Sequence, residues 1–162
     1  MSRSPVLTSR LTCARLVAGA TMPLLQKGPA VTTLEDPGVQ HLLSARNHAV
    51  VSSLNEDGSI HSTVVWVDVE DGRLAVNSAA GRKWPTNLER DPSVTVVVYD
   101  EDNPYDSVEV RGRAVVGTDA DAHIDRLAKR YLDADSYPFR QPGEQRVKFL
   151  VEASLVRHQK QG

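Results

Sequence analysis

The 162-residue sequence is most informative at first for what it does without. Cys13 is the only cysteine, which excludes an intrachain disulfide and a cysteine-built metal site and suits a reducing compartment, so a cytoplasmic location is expected. No apolar run approaches the ~20 residues of a membrane-spanning helix, so no membrane partner is expected. A net charge of −2, with cations and acids interleaved, leaves no electrostatic footprint for nucleic acid. The chain has no Gly-x-Ser-x-Gly elbow, no Ser-His-Asp spacing, no P-loop and no Gly-x-Gly-x-x-Gly fingerprint, which removes support for hydrolase, NTPase and Rossmann readings. His41, His48, His123 and His158 are scattered without ligand spacing, and no metal site is expected.

What is present describes one domain. With 40% hydrophobic and 25% charged residues, the chain has the composition of a single globular unit large enough to bury its own core. Residues 1–30 read as an N-terminal tail of disordered composition, and residues 31–162 as the folded domain. Arg3, Arg10 and Arg15 with Leu16 to Ala20 resemble a targeting segment, but the apolar patch is too short for one, and Met22 is an alternative start. Thr33 is placed to cap a helix over 34–45 with Val39, Leu42 and Leu43 on one face. Strands follow at 49–54, 60–69 and 74–77, joined by turns at Asn55-Glu56-Asp57-Gly58 and at Asp71-Gly72, the latter suited to a primed hairpin turn. A short helix with Pro85 in its first turn is closed by Asp91-Pro92. Strands at 93–99 and 108–116, an amphipathic helix at 119–132 and a closing strand at 145–152 complete the chain. Six antiparallel strands in hairpin order with few helices favour a closed β-barrel of α+β class.

Chemistry concentrates in one stretch, from Asn77 to Pro92. Ser78 offers a hydroxyl, Gly81 a flexible backbone, and Arg82 and Lys83 adjacent fixed charges, all between the end of a strand and the start of a helix. Donors, close approach and countercharge are what a phosphate requires. The competing account is a solvated turn whose cations pair with Glu89 or Asp91; residue types alone favour it, and the strand-to-helix context with the neighbouring Ser78 and Gly81 brings the two to parity. Trp66 and Trp84 read as packing anchors. His61 has the chemistry of a general acid but no identifiable carboxylate partner, and no catalytic residue is assigned. Arg111 and Arg113 share a strand face and are expected to pair with acids on a neighbouring strand.

Several motifs together resemble the split β-barrel oxidoreductases related to pyridoxamine 5'-phosphate oxidase. They are Asp57-Gly58 followed by His61-Ser62-Thr63-Val64-Val65-Trp66; Gly81-Arg82-Lys83-Trp84-Pro85 with Asn87-Leu88 and Arg90-Asp91-Pro92; and Asn103-Pro104-Tyr105 ahead of Val108-Glu109-Val110-Arg111-Gly112. The likeness spans about residues 34 to 158, and the last third, from Arg126-Leu127-Ala128-Lys129-Arg130-Tyr131 to Arg146-Val147-Lys148, is similar to the actinobacterial branch that uses coenzyme F420 in place of FMN. The resemblance implies a six-stranded FMN-binding split barrel with a few peripheral helices. It also implies a homodimer with cofactor at the subunit interface, and hydride transfer between deazaflavin C5 and an unsaturated or conjugated small-molecule substrate. Carried over by position, Ser62, Thr63, Val64 and Val65 would line the ring, and Ser78, Arg82 and Lys83 would hold the phosphate. Tyr105, after Asn103-Pro104, is a candidate lid over the ring or substrate, with packing at a dimer edge as the competing account. An FMN-dependent oxidase or reductase and a non-catalytic cofactor-binding dimer are the alternatives.

Overall fold

A computed structural model describes residues 32–161. The expected tail, residues 1–30, and Met22 lie outside the described residues. Three helices, α1 (Pro37–Ser44), α2 (Lys83–Arg90) and α3 (Ala120–Leu132), accompany seven strands: β1 (Ala49–Leu54), β2 (Ile60–Val65), β3 (Val67–Glu70), β4 (Arg73–Ala79), β5 (Ser93–Tyr99), β6 (Ser107–Gly117) and β7 (Arg146–Gln159). All pairings are antiparallel, in the order β2-β1-β5-β6-β7-β4-β3.

That order closes the sheet on itself. The two edge strands, β2 and β3, are separated by Trp66 alone, so their ends lie within ~7 Å of each other even though they terminate opposite sides of the sheet. A flat sheet cannot meet that constraint; a curled split barrel can. The expected single strand over 60–69 is therefore two strands, and the strand count is seven where six were expected. The cause is a change of partner: Ile60 to Val65 pair with β1, whereas Val67 to Glu70 pair with β4. Periodicity within one run of residues carries no information about such a switch.

The seam at Trp66 is sealed from α3. The Tyr131 hydroxyl donates to the Asn47 carbonyl at 2.7 Å and accepts from the Val67 N–H at 3.3 Å, joining the approaches to β1 and β3. Arg130 donates to Asp68 at 2.7 Å. The core inside the curl is largely β-branched and aliphatic, with Val51, Val67, Val76, Val96, Val98, Val108 and Val110 fully buried under Val39, Leu42 and Leu43 of α1.

Three local features differ from expectation or explain it. Helix α1 starts at Pro37 rather than at 34, because proline has no N–H to give and sits best in the first turn. Thr33 is not its cap: Asp36 occupies that position and its carboxylate accepts from the Thr33 N–H at 2.9 Å. The Asp71-Gly72 turn has φ of 52° and 72°, the left-handed pair a primed hairpin turn needs. Strand β7 runs to Gln159, well past the expected end at 152, because it continues along β6 beyond a bulge where Ser154 is the extra residue opposite Arg111 and Gly112. A Cβ on Gly112 would lie 2.1 Å from the Glu152 carbonyl oxygen, so only glycine allows the two strands to approach there. No helix among the described residues is long and apolar enough to cross a membrane.

Candidate functional site

Strand β4 carries the strand end of the anion turn further than the sequence suggested, through Ser78 to Ala79. The chain then turns at Gly81, with φ of 78°, and enters α2 with Arg82 as its N-cap residue and Lys83 as its first helical residue. Burial of Trp84, Pro85, Asn87 and Leu88 fixes that helix on the barrel, and Asn87 donates to the Ser53 hydroxyl at 3.1 Å and to the Asn55 side-chain carbonyl at 2.9 Å. With the helix pinned, its N-terminal end and both cations border a cavity of about 390 Å³. Among the described residues neither Arg82 nor Lys83 forms an ion pair, so the expected alternative partners Glu89 and Asp91 do not neutralise them.

Ser78 is the most telling residue of this end. It is 2% exposed, lines the cavity, and its Oγ has no hydrogen-bond partner among the described residues. A buried hydroxyl without a partner forgoes about 1–3 kcal/mol, a cost recovered when a ligand supplies the acceptor or donor.

The opposite end is aromatic. Trp66 stacks on Tyr131 with centroids 5.2 Å apart and meets Tyr137 edge-on at 6.0 Å, and Tyr137 meets Phe139 at 5.7 Å. Trp66, Tyr137 and Phe139 line the cavity, as does His48, whose Nδ1 is paired with the Glu101 carboxylate. Between the two ends runs β2, with His61 toward the cations and Val65 toward Trp66. Four residues of extended chain give a separation of about 13 Å.

Beneath the cavity lies a buried polar floor. The Asn77 side-chain carbonyl accepts from Arg146 Nε at 2.9 Å and Nη2 at 2.7 Å, while its amide donates to the Ala120 carbonyl at 2.8 Å and contacts His123 Nδ1 at 3.2 Å. Arg146 is also paired with Glu144 at 2.8 Å and lies 5.1 Å from the Tyr137 ring centre, so its charge is spent on holding the aromatic loop. Lys148, 2% exposed, donates to Glu70 at 2.7 Å, and this bond, ahead of the Lys148 and Arg126 charges, holds the Glu70 carboxyl below the ordinary range. His123 has no exposed surface, and burial lowers its pKa to about 4, so it is neutral at pH 7. Since Asn77 donates to Nδ1, the proton of the neutral ring is on Nε2, which has no partner.

Of the residues expected to bind cofactor, Thr63, Val64, Val65, Ser78, Arg82 and Lys83 share this cavity. Ser62 and Tyr105 do not line it. Strand alternation turns the Ser62 side chain to the opposite face, where its hydroxyl bonds Ser52 at 2.8 Å. Tyr105 is 68% exposed on the β5–β6 loop, its carbonyl tied to the Gln161 N–H, and the residue of that loop that reaches the cavity's aromatic end is Glu101, through His48. Trp66 and Trp84, read as packing anchors, both pack and line the cavity: Trp66 stacks on Tyr131, and the buried Trp84 lies 5.7 Å from Phe149. His61 lines the cavity without a carboxylate partner. Arg111 pairs with Glu109 of its own strand at 2.7 Å, not across to a neighbour. Asn77, Arg146, Tyr137, Phe139 and His48 were not singled out as site residues; Asn77 had a signal in its place at the head of the basic stretch, and Tyr137, Phe139 and Arg146 had one in the resemblance of the last third, whereas His48 had none.

Residues 36–160 match the family model of pyridoxamine 5'-phosphate oxidase. Among solved structures, an F420 reductase is similar at 25% identity and a TM-score of 0.63 over 73% of this chain and 94% of that one. The conserved hypothetical protein Rv2991 of Mycobacterium tuberculosis is 22% identical, with a TM-score of 0.63 over 81% of this chain and 88% of its own. General Stress Protein 26 of Bacillus anthracis is 21% identical, with a TM-score of 0.57 over 75% and 91%. The last two bear on fold alone. No curated protein matches in sequence.

Proposed function

The chain belongs to the pyridoxamine 5'-phosphate oxidase family, and from that premise we propose that it is an F420-dependent oxidoreductase acting on an unsaturated or conjugated small molecule. The observation that carries the cofactor reading is the buried Ser78 hydroxyl beside Arg82 and Lys83 at a helix start, none of them with a side-chain partner among the described residues. The likeness to an F420 reductase supports the deazaflavin over the flavin.

The donor set fits the phosphate of either cofactor. Ser78 would donate one hydrogen bond, Arg82 and Lys83 would supply the charge, and the N-terminal end of α2 would add its dipole. Thr63, Val64 and Val65 would border the ring, whose polarity in the cavity follows from the phosphate: anion toward Arg82 and Lys83, ring toward Trp66 and Tyr137. When bound, the deazaflavin supplies hydride from C5. The chain's own residues bind, orient and exclude water, which is the protein's share when the cofactor carries the chemistry.

A homodimer belongs to the same proposal. Edge strand β2 borders the cavity and exposes Ile60 at 69% and Val64 at 60%, an apolar edge that a second copy would cover. Sedimentation of the purified protein measures this, and a monomer at micromolar concentration removes it.

The cofactor assignment is tested by titrating the protein with F420 and with FMN. Tight binding of F420 with none of FMN is the expected result. A protein that purifies yellow and prefers FMN is instead a flavin oxidase or reductase on the same barrel, and bound F420 that no enone or quinone ever oxidises marks a carrier without turnover.

A further inference from the structure

The cavity's aromatic end holds one titratable side chain with the geometry of an oriented acid. His48 precedes β1, borders the cavity, and leans on the Tyr131 ring at 5.6 Å between centroids. Its Nδ1 is engaged by the Glu101 carboxylate, brought in by the β5–β6 loop. The nitrogen left for a ligand is Nε2, which has no hydrogen-bond partner among the described residues. Carboxylate, imidazole and open cavity in this order form the arrangement in which a carboxylate fixes the tautomer and orientation of a proton-transferring histidine. His61 also borders the cavity, but it has no carboxylate partner among the described residues and stands at the cation end of β2, about 13 Å of strand away from Val65.

We propose that His48 is the proton donor to the substrate and that Glu101 is its positioning residue. The inference rests on the reduced-cofactor reading of the cavity given above. For a conjugated C=C–C=O substrate, hydride from a reduced ring would form the new C–H bond at the β-carbon while the π pair moves toward oxygen, and the enolate charge that develops would be met by the proton in the same step. Protonated His48 gives up Nε2–H: the proton forms the bond to the enolate, the N–H electron pair stays on the ring, and neutral His48 keeps its Nδ1–H on Glu101. The substrate gains two electrons and two hydrogens, the cofactor is oxidised by two electrons, and solvent returns the proton to His48, whose side chain is 38% exposed.

The test has two arms. In the first, histidine is labelled with 15N in the cofactor-free protein and the tautomer of neutral His48 is read by long-range 1H–15N NMR. The expected proton is on Nδ1 in the wild type and in Glu101→Asp, and shifts toward Nε2 in Glu101→Ala. In the second, protein loaded with reduced F420, or with reduced FMN if that is what binds, is mixed with 2-cyclohexen-1-one and single-turnover oxidation is followed. Oxidation is expected to slow by about 10²-fold or more in His48→Gln and about 10-fold in Glu101→Ala, with Glu101→Asp near the wild type and cofactor affinity unchanged throughout. An unchanged rate in His48→Gln overturns the proposal, as does a tautomer indifferent to Glu101→Ala, or a loaded wild type that does not reduce the enone. If neither cofactor binds the wild type, the cavity reading falls and this step with it, while the NMR arm still separates that failure from a misplaced His48–Glu101 pair.

Discussion

The two ends of the cavity are built in opposite ways. The cationic end comes from one continuous stretch, Ser78 to Lys83, and its polar groups have no partners among the described residues: two cations outside any ion pair and a buried, unbonded hydroxyl. The aromatic end is gathered from residues before β1, between β2 and β3, after α3 and in the β5–β6 loop, and nearly every group in it is already stacked or bonded. An end that waits for charge must keep its donors free, and so depends on a rigid helix start to prevent them from finding each other. An end that receives a flat apolar ring can satisfy itself beforehand, because stacking needs surface rather than unused hydrogen bonds. The contrast divides the labour: one end supplies binding energy, the other shape.

The strongest way to break this division is to remove both cations. Arg82→Ala combined with Lys83→Ala should weaken cofactor binding by roughly 3–6 kcal/mol, from about 1.5–3 kcal/mol per charge-assisted contact, with little change in thermal stability. A titration giving a loss below tenfold would show that the cationic end does not carry the affinity.

Next in size is the floor shared by both ends. His123 has a folded pKa of about 4 against 6.5 for the free side chain, so the unfolded chain takes up the proton first as pH falls. Its contribution is complete above pH 6.5 and drains away toward pH 4, up to roughly 3 kcal/mol, visible as a slope in denaturant midpoints that His123→Gln should flatten. The carboxylates held low by their partners, Glu70 by Lys148, Asp106 by Lys160 and then His158, and Glu144 by Arg146, act in a separate window. Their stabilisation is present above the unfolded carboxylate pKa and fades only as the solution becomes more acidic than that.

The smallest effects should cross over between the ends. Tyr131→Phe removes a hydroxyl bonded to both sides of the seam and should cost about 1 kcal/mol of stability without altering cofactor affinity. Ser78→Ala removes a hydroxyl bonded to nothing and should leave stability unchanged or slightly raised, while lowering affinity by about 1 kcal/mol. Parallel melting and binding curves for the two variants measure the crossing, and equal behaviour would erase the distinction.

How legible each end was in the sequence follows from the same contrast. Gly81-Arg82-Lys83 ahead of Pro85 is local chemistry, and local chemistry survives translation into a string of letters. The strands and helices were legible for the same reason, since alternation at β6 and helical spacing at α3 are short-range patterns. His48 and Glu101 are 53 positions apart and become a pair only because β1 and β5 are neighbours in the sheet, with Ala49 opposite Val98. His123, set aside as one scattered histidine among several, is the fully buried one, and its partner Asn77 is 46 positions away. Tyr105 is absent from the cavity lining for a further reason: its loop does reach the site, but through a different residue, Glu101.

One consequence of the strand order concerns how the molecule comes into being. Strands β2, β1, β5 and β6 form one half of the sheet and β4 with β3 the other, and the two halves hydrogen-bond to each other only through β7. During synthesis, residues 49 to 117 can build both halves, yet each ends in a bare row of N–H and C=O groups until residues 146–159 emerge and fit between them. Arg146 and Lys148, which brace the cavity floor, arrive on that same strand. Completing the barrel and completing the site are therefore a single late event, and a nascent chain waiting for it is the form of this protein most exposed to pairing with the wrong neighbour.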